Sequence, residues 1–222
     1  MQPGRLTLSE TNSLVAHQFE TLEQQHLAGW LGMWIFLATE VMFFGGMFAG
    51  YALYRWAYPG AFAAASRELE VLLGATNTLI LIVSSLSMAL AVHSAETGRR
   101  QRLIGFLLVT MALGAAFLGI KGVEYLHKFE HHLVPGSGFV FAAPFQQTAQ
   151  IFFSFYFALT GMHALHMLIG EALLTALVIR AWRKEFTPGH HAAVEITGLY
   201  WHFVDIVWIF LFPLLYLIER HR

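Results

Sequence analysis

The chain carries five stretches that stay apolar for longer than a lipid bilayer's hydrocarbon core is thick, and nothing restricts its fold more. Crossing ~30 Å at 1.5 Å per residue takes about 20 residues. The windows run over about 26–56, 71–92, 103–126, 146–182 and 194–218. In hydrocarbon every backbone N–H and C=O must be satisfied within the protein, so spans of this length are helices. The expectation is an all-α integral membrane bundle of five transmembrane helices in a single membrane domain, 1–222, with residues 1–25 as a tail. The balance of the chain agrees, since 57% of its residues are hydrophobic and only 12% charged.

The breaks between windows are polar or rich in turn formers. Pro59-Gly60 ends the first span, Glu96 to Arg102 separates the second from the third, and Pro188-Gly189 precedes the fifth. A longer break holds His131, His132, Pro135, Gly136, Gly138 and Pro144. The fourth window exceeds the hydrocarbon thickness, so its helix tilts or protrudes into water. With the N-terminus inside, the inner flanks hold Arg5, Arg99, Arg100, Arg102, Arg180, Arg183 and Lys184, and the outer flanks hold Arg55, Arg67, Lys128, Arg220 and Arg222. That bias of seven to five favours a cytoplasmic N-terminus and an external C-terminus. The tail lacks the basic start and apolar core of a signal peptide. Val15, Phe19 and Leu22 recur at helical spacing, which fits either a surface amphipathic helix or a frayed end. Gly46-x-x-x-Gly50 and Ala115-x-x-x-Gly119 place small residues where helices can approach closely.

Several functions are excluded at this level. There is no cysteine, which removes disulfides, thiolate zinc sites, iron–sulfur clusters and thiolate copper. A net charge of −1 gives no reason to expect nucleic acid or a polybasic lipid anchor. No nucleophile–base triad, phosphate loop or nucleotide fingerprint is present, so the chain alone shows no catalytic machinery.

The informative residues are the ionisable ones inside the spans. Each costs on the order of 3 kcal/mol to insert, so each is expected to face a partner within protein. Glu40 sits near the middle of the first span, where a lone carboxyl is either a neutral acid hydrogen-bonded between helices or a proton-exchanging group. His163 and His166 share one face of the fourth span; interhelical hydrogen bonds are favoured over a haem, because His202 lies nearer the inner surface than His163. Glu195, His202 and Asp205 punctuate the fifth, with His202 and Asp205 three apart on one face. Glu40, His163, His166, Glu195, His202 and Asp205 are therefore expected to form a buried polar network. Lys121 and Glu124 form an ion pair at the outer end of the third span, snorkelling to the interface with His127. Asn77 is expected to hydrogen-bond across helices, and His131-His132 and His190-His191 to lie in solvated loops. No residue is expected to be a catalytic, cofactor-binding or metal-binding group.

The closing run Tyr200-Trp201-His202-Phe203-Val204-Asp205, with Val207-Trp208, resembles the last transmembrane helix of subunit III of the haem-copper oxidases, the cytochrome c oxidase type. Trp34-Ile35-Phe36 through Glu40-Val41-Met42-Phe43-Phe44 is similar to that family's helix with a buried glutamate. Asn77-Thr78-Leu79-Ile80-Leu81 with Ser84-Ser85, Leu113-Gly114 with Glu124-Tyr125, and Thr160-Gly161-Met162-His163-Ala164-Leu165-His166 with Gly170 follow the pattern in order. Phe186-Thr187 and His190-His191 fit the last linker. Ala164 stands where the pattern has glycine, and Lys121 where some relatives have an uncharged polar residue. Five spans resemble the shorter bacterial versions, which lack the first two helices of the seven-helix mitochondrial form and with them one wall of its lipid cleft.

The resemblance implies a non-redox accessory subunit of a proton-pumping terminal oxidase of aerobic respiration. It would sit in the bacterial inner membrane, stabilise subunit I and support proton uptake. Subunit I is the implied main contact, with subunit II, small subunits and membrane lipids beside it. Haems and copper are implied in the partner subunits and none in this chain, with bound phospholipid as a further implied ligand. The alternatives are a companion of a nitric oxide reductase, an independent proton-coupled transporter using Glu40, His166 and Asp205, and a haem protein using His163 and His202. The transporter reading lacks the paired inverted repeats and broken helices usual for that class.

Overall fold

The computed structural model describes residues 19, 21–142, 144–187 and 191–218. Most of the tail, including Val15, lies outside them, as do the Pro188-Gly189 turn and His190.

Five long helices follow the five apolar windows, and a short one joins the first two. The order is α1 Leu22–Ala57, α2 Pro59–Arg67, α3 Val71–Glu96, α4 Arg100–Glu130, α5 Gln146–Trp182 and α6 Ala192–Tyr216. The helices overrun the apolar windows at several ends because hydrogen-bonded helix continues into the polar flanks. Thr21 caps α1 by accepting from the Gln24 N–H at 3.1 Å. Proline at N1 starts α2 rather than leaving a loop, since its missing N–H is one that no helix start can use.

Alternation of direction puts the start of α1, the α3–α4 turn and the α5–α6 connection at one rim, called here the N-rim. Turns there and at the opposite rim close in the same way. Leu133 N donates to Lys128 O, Arg99 N to Ser94 O and Glu185 N to Arg180 O, each around a residue in left-handed backbone. Only Gly98 (φ 67°) meets that need with a glycine; His132 and Lys184 bear side chains there. The Arg100 guanidinium donates to Ala181 O and Trp182 O, both at 2.7 Å, and so caps the end of α5.

α6 is the axis. Trp201 is fully buried where α3, α4, α5 and α6 meet, and its indole donates to Ser84 Oγ at 3.0 Å. It fits because two neighbours lack side chains. A Cβ on Gly170 would sit 2.7 Å from Trp201 Cζ3, and one on Gly114 would come within 2.8 Å of Cη2 and overlap the Glu171 carboxyl. About two turns further, Trp208 lies edge-on to Phe117 at 4.8 Å and donates to Thr78 Oγ1. The last carbonyls of α6 are taken by side chains: Tyr51 of α1 donates to Leu214 O and Ser66 of α2 to Leu215 O, both at 2.8 Å. Those bonds, with Phe44 packed against Phe203 and His166, hold α1 to the bundle. Elsewhere α1 presents Trp34, Ile35, Val41, Met42, Leu53 and Trp56 outward, as expected of a lipid-facing surface.

The small-residue stripes do not pack helices within this chain as the sequence suggested. Gly46 and Gly119 have nothing within 4 Å of an added Cβ, and Gly50 meets only the Phe155 ring. Close approach instead occurs at Gly114 and Gly170, which face Trp201, and at Gly74, which faces Phe212 and Tyr216.

Gly170→Ala should therefore lower stability by about 1–3 kcal/mol through overpacking. The same change at Gly45, where an added Cβ meets nothing, should be close to neutral. Thermal unfolding of the detergent-solubilised chain, followed by tryptophan fluorescence, checks both.

Candidate functional site

The polar side chains of the spans fall into separate groups at different depths rather than one network. In the middle, α1 meets α5: Glu40 Oε2 lies 3.2 Å from His166 Nε2, with both side chains mostly buried. His166 Nδ1 is 2.8 Å from Met162 O, and a carbonyl only accepts, so Nδ1 carries a hydrogen. The other ring nitrogen, Nε2, is thereby left facing the Glu40 carboxyl. Tyr200 donates to His166 O at 2.9 Å and Phe44 packs on the imidazole, so the pair is walled by aromatic rings.

His163 stands apart from that pair. Its Nε2 lies 3.1 Å from Val204 O and donates to it, while Phe117 and Trp208 enclose the ring. His202 and Asp205 share a face without meeting. His202 Nδ1 is 2.7 Å from Ser85 Oγ, whereas both Asp205 oxygens are buried with no hydrogen-bond partner among the described residues. The two line a groove of about 410 Å³ between α3 and α6, together with Ser85 and apolar groups that include Leu81, Ile82 and Ile206.

Toward the opposite rim, Lys121 does not snorkel. Its side chain is only 4% exposed and turns into the bundle. Nζ donates to Glu124 Oε2 at 3.0 Å, Tyr156 Oη at 3.1 Å and Tyr216 Oη at 2.9 Å, which uses all three ammonium hydrogens. Both tyrosines then donate to Glu124 Oε1, at 2.9 and 2.7 Å. The rings of Tyr156, Tyr125 and Trp208 stand within 5.3 Å of the ammonium. His127 leaves this cluster and meets Glu70 at 3.1 Å, and Lys128 donates to Glu68 O. A buried polar cluster tightens into the protein when every donor has an acceptor.

At the N-rim, Glu195 pairs with His191, the residue capping α6, at 2.8 Å. His191 is thus half-buried and held, not loose in a solvated loop. Glu96 completes a group of three whose ligand atoms lie within 4.8 Å of one another. Asn77 makes no bond across helices: it is fully buried and neither side-chain polar atom has a partner among the described residues. Its burial has no account in the fold.

Sequence reasoning missed Tyr51, Tyr156, Tyr200, Tyr216 and Ser66, which supply hydroxyls to these groups. In an apolar span a tyrosine reads as one more ring. The available signal was the presence of unpaired charges, Lys121 above all, that hydroxyls from other spans would have to satisfy.

The family described as cytochrome c oxidase subunit III matches the chain over residues 8–219. The chain is 35% identical over 187 residues to cytochrome bo(3) ubiquinol oxidase subunit 3 of Pseudomonas aeruginosa, covering 84% of this chain and 83% of the relative. It is 32% identical over 187 residues to quinol oxidase subunit 3 of Bacillus subtilis, covering 84% and 85%. Human cytochrome c oxidase subunit 3 is 34% identical over 195 residues, covering 83% of this chain and 67% of the relative.

Removing one member of the Lys121 cluster strands the other as a buried charge, which costs about 3–5 kcal/mol, whereas removing both is far milder. Lys121→Met should thus depress the unfolding midpoint strongly, and Lys121→Met with Glu124→Gln should recover most of it. Equal damage in the single and double variants would refute the pairing.

Proposed function

We propose a role for this chain from one premise: it belongs to the cytochrome c oxidase subunit III family. It is an accessory subunit of a haem-copper oxidase and part of that oxidase complex. In our reading it binds chiefly to subunit I, beside subunit II and small subunits, in a bacterial inner membrane with the N-rim cytoplasmic. It stabilises subunit I and assists proton uptake there, while haems and copper reside in subunits I and II. The observation that carries the reading is the family match, which runs through all five spans.

Three features support the finer parts. The interior histidines already spend ring nitrogens on this protein: His163 on Val204 O, His166 on Met162 O and Glu40, and His202 on Ser85. That use favours a structural part over haem ligation. Glu40 and His166 set two proton-exchanging side chains against each other in the membrane interior, where an ionisable group needs a partner. The third is Asp205: a buried carboxyl, with neither oxygen in a hydrogen bond of good geometry among the described residues, in a groove it shares with Ser85 and His202, fits a donor from a neighbouring subunit, and the α3–α6 face is where we place subunit I.

Extraction of the tagged chain from its native membrane in mild detergent, followed by mass spectrometry, tests the assembly. A haem-bearing subunit I in about equal amount is expected; a chain recovered alone and colourless would sink the proposal. Asp205→Ala should release the chain from subunit I on detergent washing, and Glu40→Ala should leave the haem content of the complex unchanged. Orientation is checked separately, since the chain has no cysteine of its own. A membrane-impermeant maleimide added to intact spheroplasts should label Ser137→Cys and spare Thr97→Cys.

A further inference from the structure

The three-residue group at the N-rim is assembled from elements far apart in the chain. Glu96 is the last residue of α3, His191 caps α6, and Glu195 lies in the first turn of α6. Their ligand atoms all lie within 4.8 Å of one another, with His191 Nε2 2.8 Å from Glu195 Oε1. Around a tetrahedral zinc ion with bonds of ~2.0 Å, ligand atoms stand about 3.3 Å apart. Small rotamer changes therefore suffice to bring the three into coordinating positions.

Two further observations point to a cation. The ring's other nitrogen, Nδ1, is shut off from solvent and has no hydrogen-bond partner among the described residues, while Nε2 faces the Glu195 carboxylate at 2.8 Å. Glu96 sits at the C-terminal end of α3, where the helix dipole disfavours negative charge. It faces a second carboxylate there, and a positive ion between the two would offset both penalties.

We propose that Glu96, His191 and Glu195 form a binding site for an exchangeable divalent cation of the zinc class, which ties the end of α3 to the start of α6. One imidazole and two carboxylates make a mixed nitrogen and oxygen set that suits zinc, whereas calcium and magnesium favour oxygen alone. Three protein ligands leave a fourth position for water. A groove of about 380 Å³, lined by both carboxylates together with Gly198 and His202, opens onto them and gives the ion a way in. His93, with Nδ1 3.5 Å from Glu96 Oε2, competes for that carboxylate while the site is empty.

The test does not depend on the oxidase reading. The purified full chain in detergent, colourless without haem, is titrated with Co²⁺ and read by its visible ligand-field bands, then back-titrated with Zn²⁺. Saturable bands displaced by Zn²⁺ are expected. Glu96→Gln and Glu195→Gln should each weaken binding by at least ~10-fold, the scale on which even outer partners of a metal ligand act. His93→Ala should bind at least as tightly as the wild type. Glu96 is exposed at a helix end, so its variant should keep its fold, and an unchanged unfolding midpoint without cation confirms it. Absence of bands in the wild type, equal affinity in Glu96→Gln, or loss of binding in His93→Ala would overturn the assignment.

Discussion

The bundle depends on one close contact: Trp201 laid between the bare backbones of Gly114 and Gly170. Lipid tails are as apolar as leucine, so burial alone gives membrane helices little reason to associate. What holds them is dense packing, and an indole pressed between two glycines places α4, α5 and α6 at fixed separations. The bond from its Nε1 to Ser84 adds α3. The positions of the ionisable groups follow from that geometry. Rotating α6 about its axis would part Trp208 from Thr78, and also take His163 away from Val204 O.

Around this centre, charge is handled in three ways. The Lys121 cluster is closed, with each donor matched to an acceptor and aromatic faces filling the remaining directions. Glu40 and His166 set an acid against an imidazole in the middle of the bundle. Asp205 is buried beside Ser85, with neither oxygen in a hydrogen bond of good geometry among the described residues. A completed cluster stabilises the protein alone, whereas the other two leave polar atoms that the described fold does not fully use.

Much of the architecture was legible because bilayer thickness converts directly into a count of apolar residues. Helix ends were less so: polar residues such as Gln24 and Glu130 continue a helix beyond the hydrocarbon, and Pro59, which does end the first span, also starts the short α2. Single residues were legible by type but not by partner. That Glu40 and Lys121 needed companions followed from their depth; that the companions are His166 and Tyr216, 126 and 95 positions along, depends on helix rotation, which a sequence of one chain does not encode locally. His202 and Asp205 show the converse, since residues three apart on a helix face still diverge when Ser85 lies nearer to one of them. The interruption at 188–190 also separated His191 from Glu195 in any reading by windows, although they share the first turn of α6.

The placement of α6 has a consequence for how the protein is made. It leaves the ribosome after α1 to α5, yet it supplies Trp201, the Val204 carbonyl, the carbonyls that take Tyr51 and Ser66, and the Tyr216 hydroxyl. Until it inserts, the four earlier spans sit in the membrane with Lys121 and Glu124 only partly satisfied and with a slot between Gly114 and Gly170 open. Insertion of α6 is thus the step that closes the bundle, and loss of α6 removes the partner for which the other four spans are shaped.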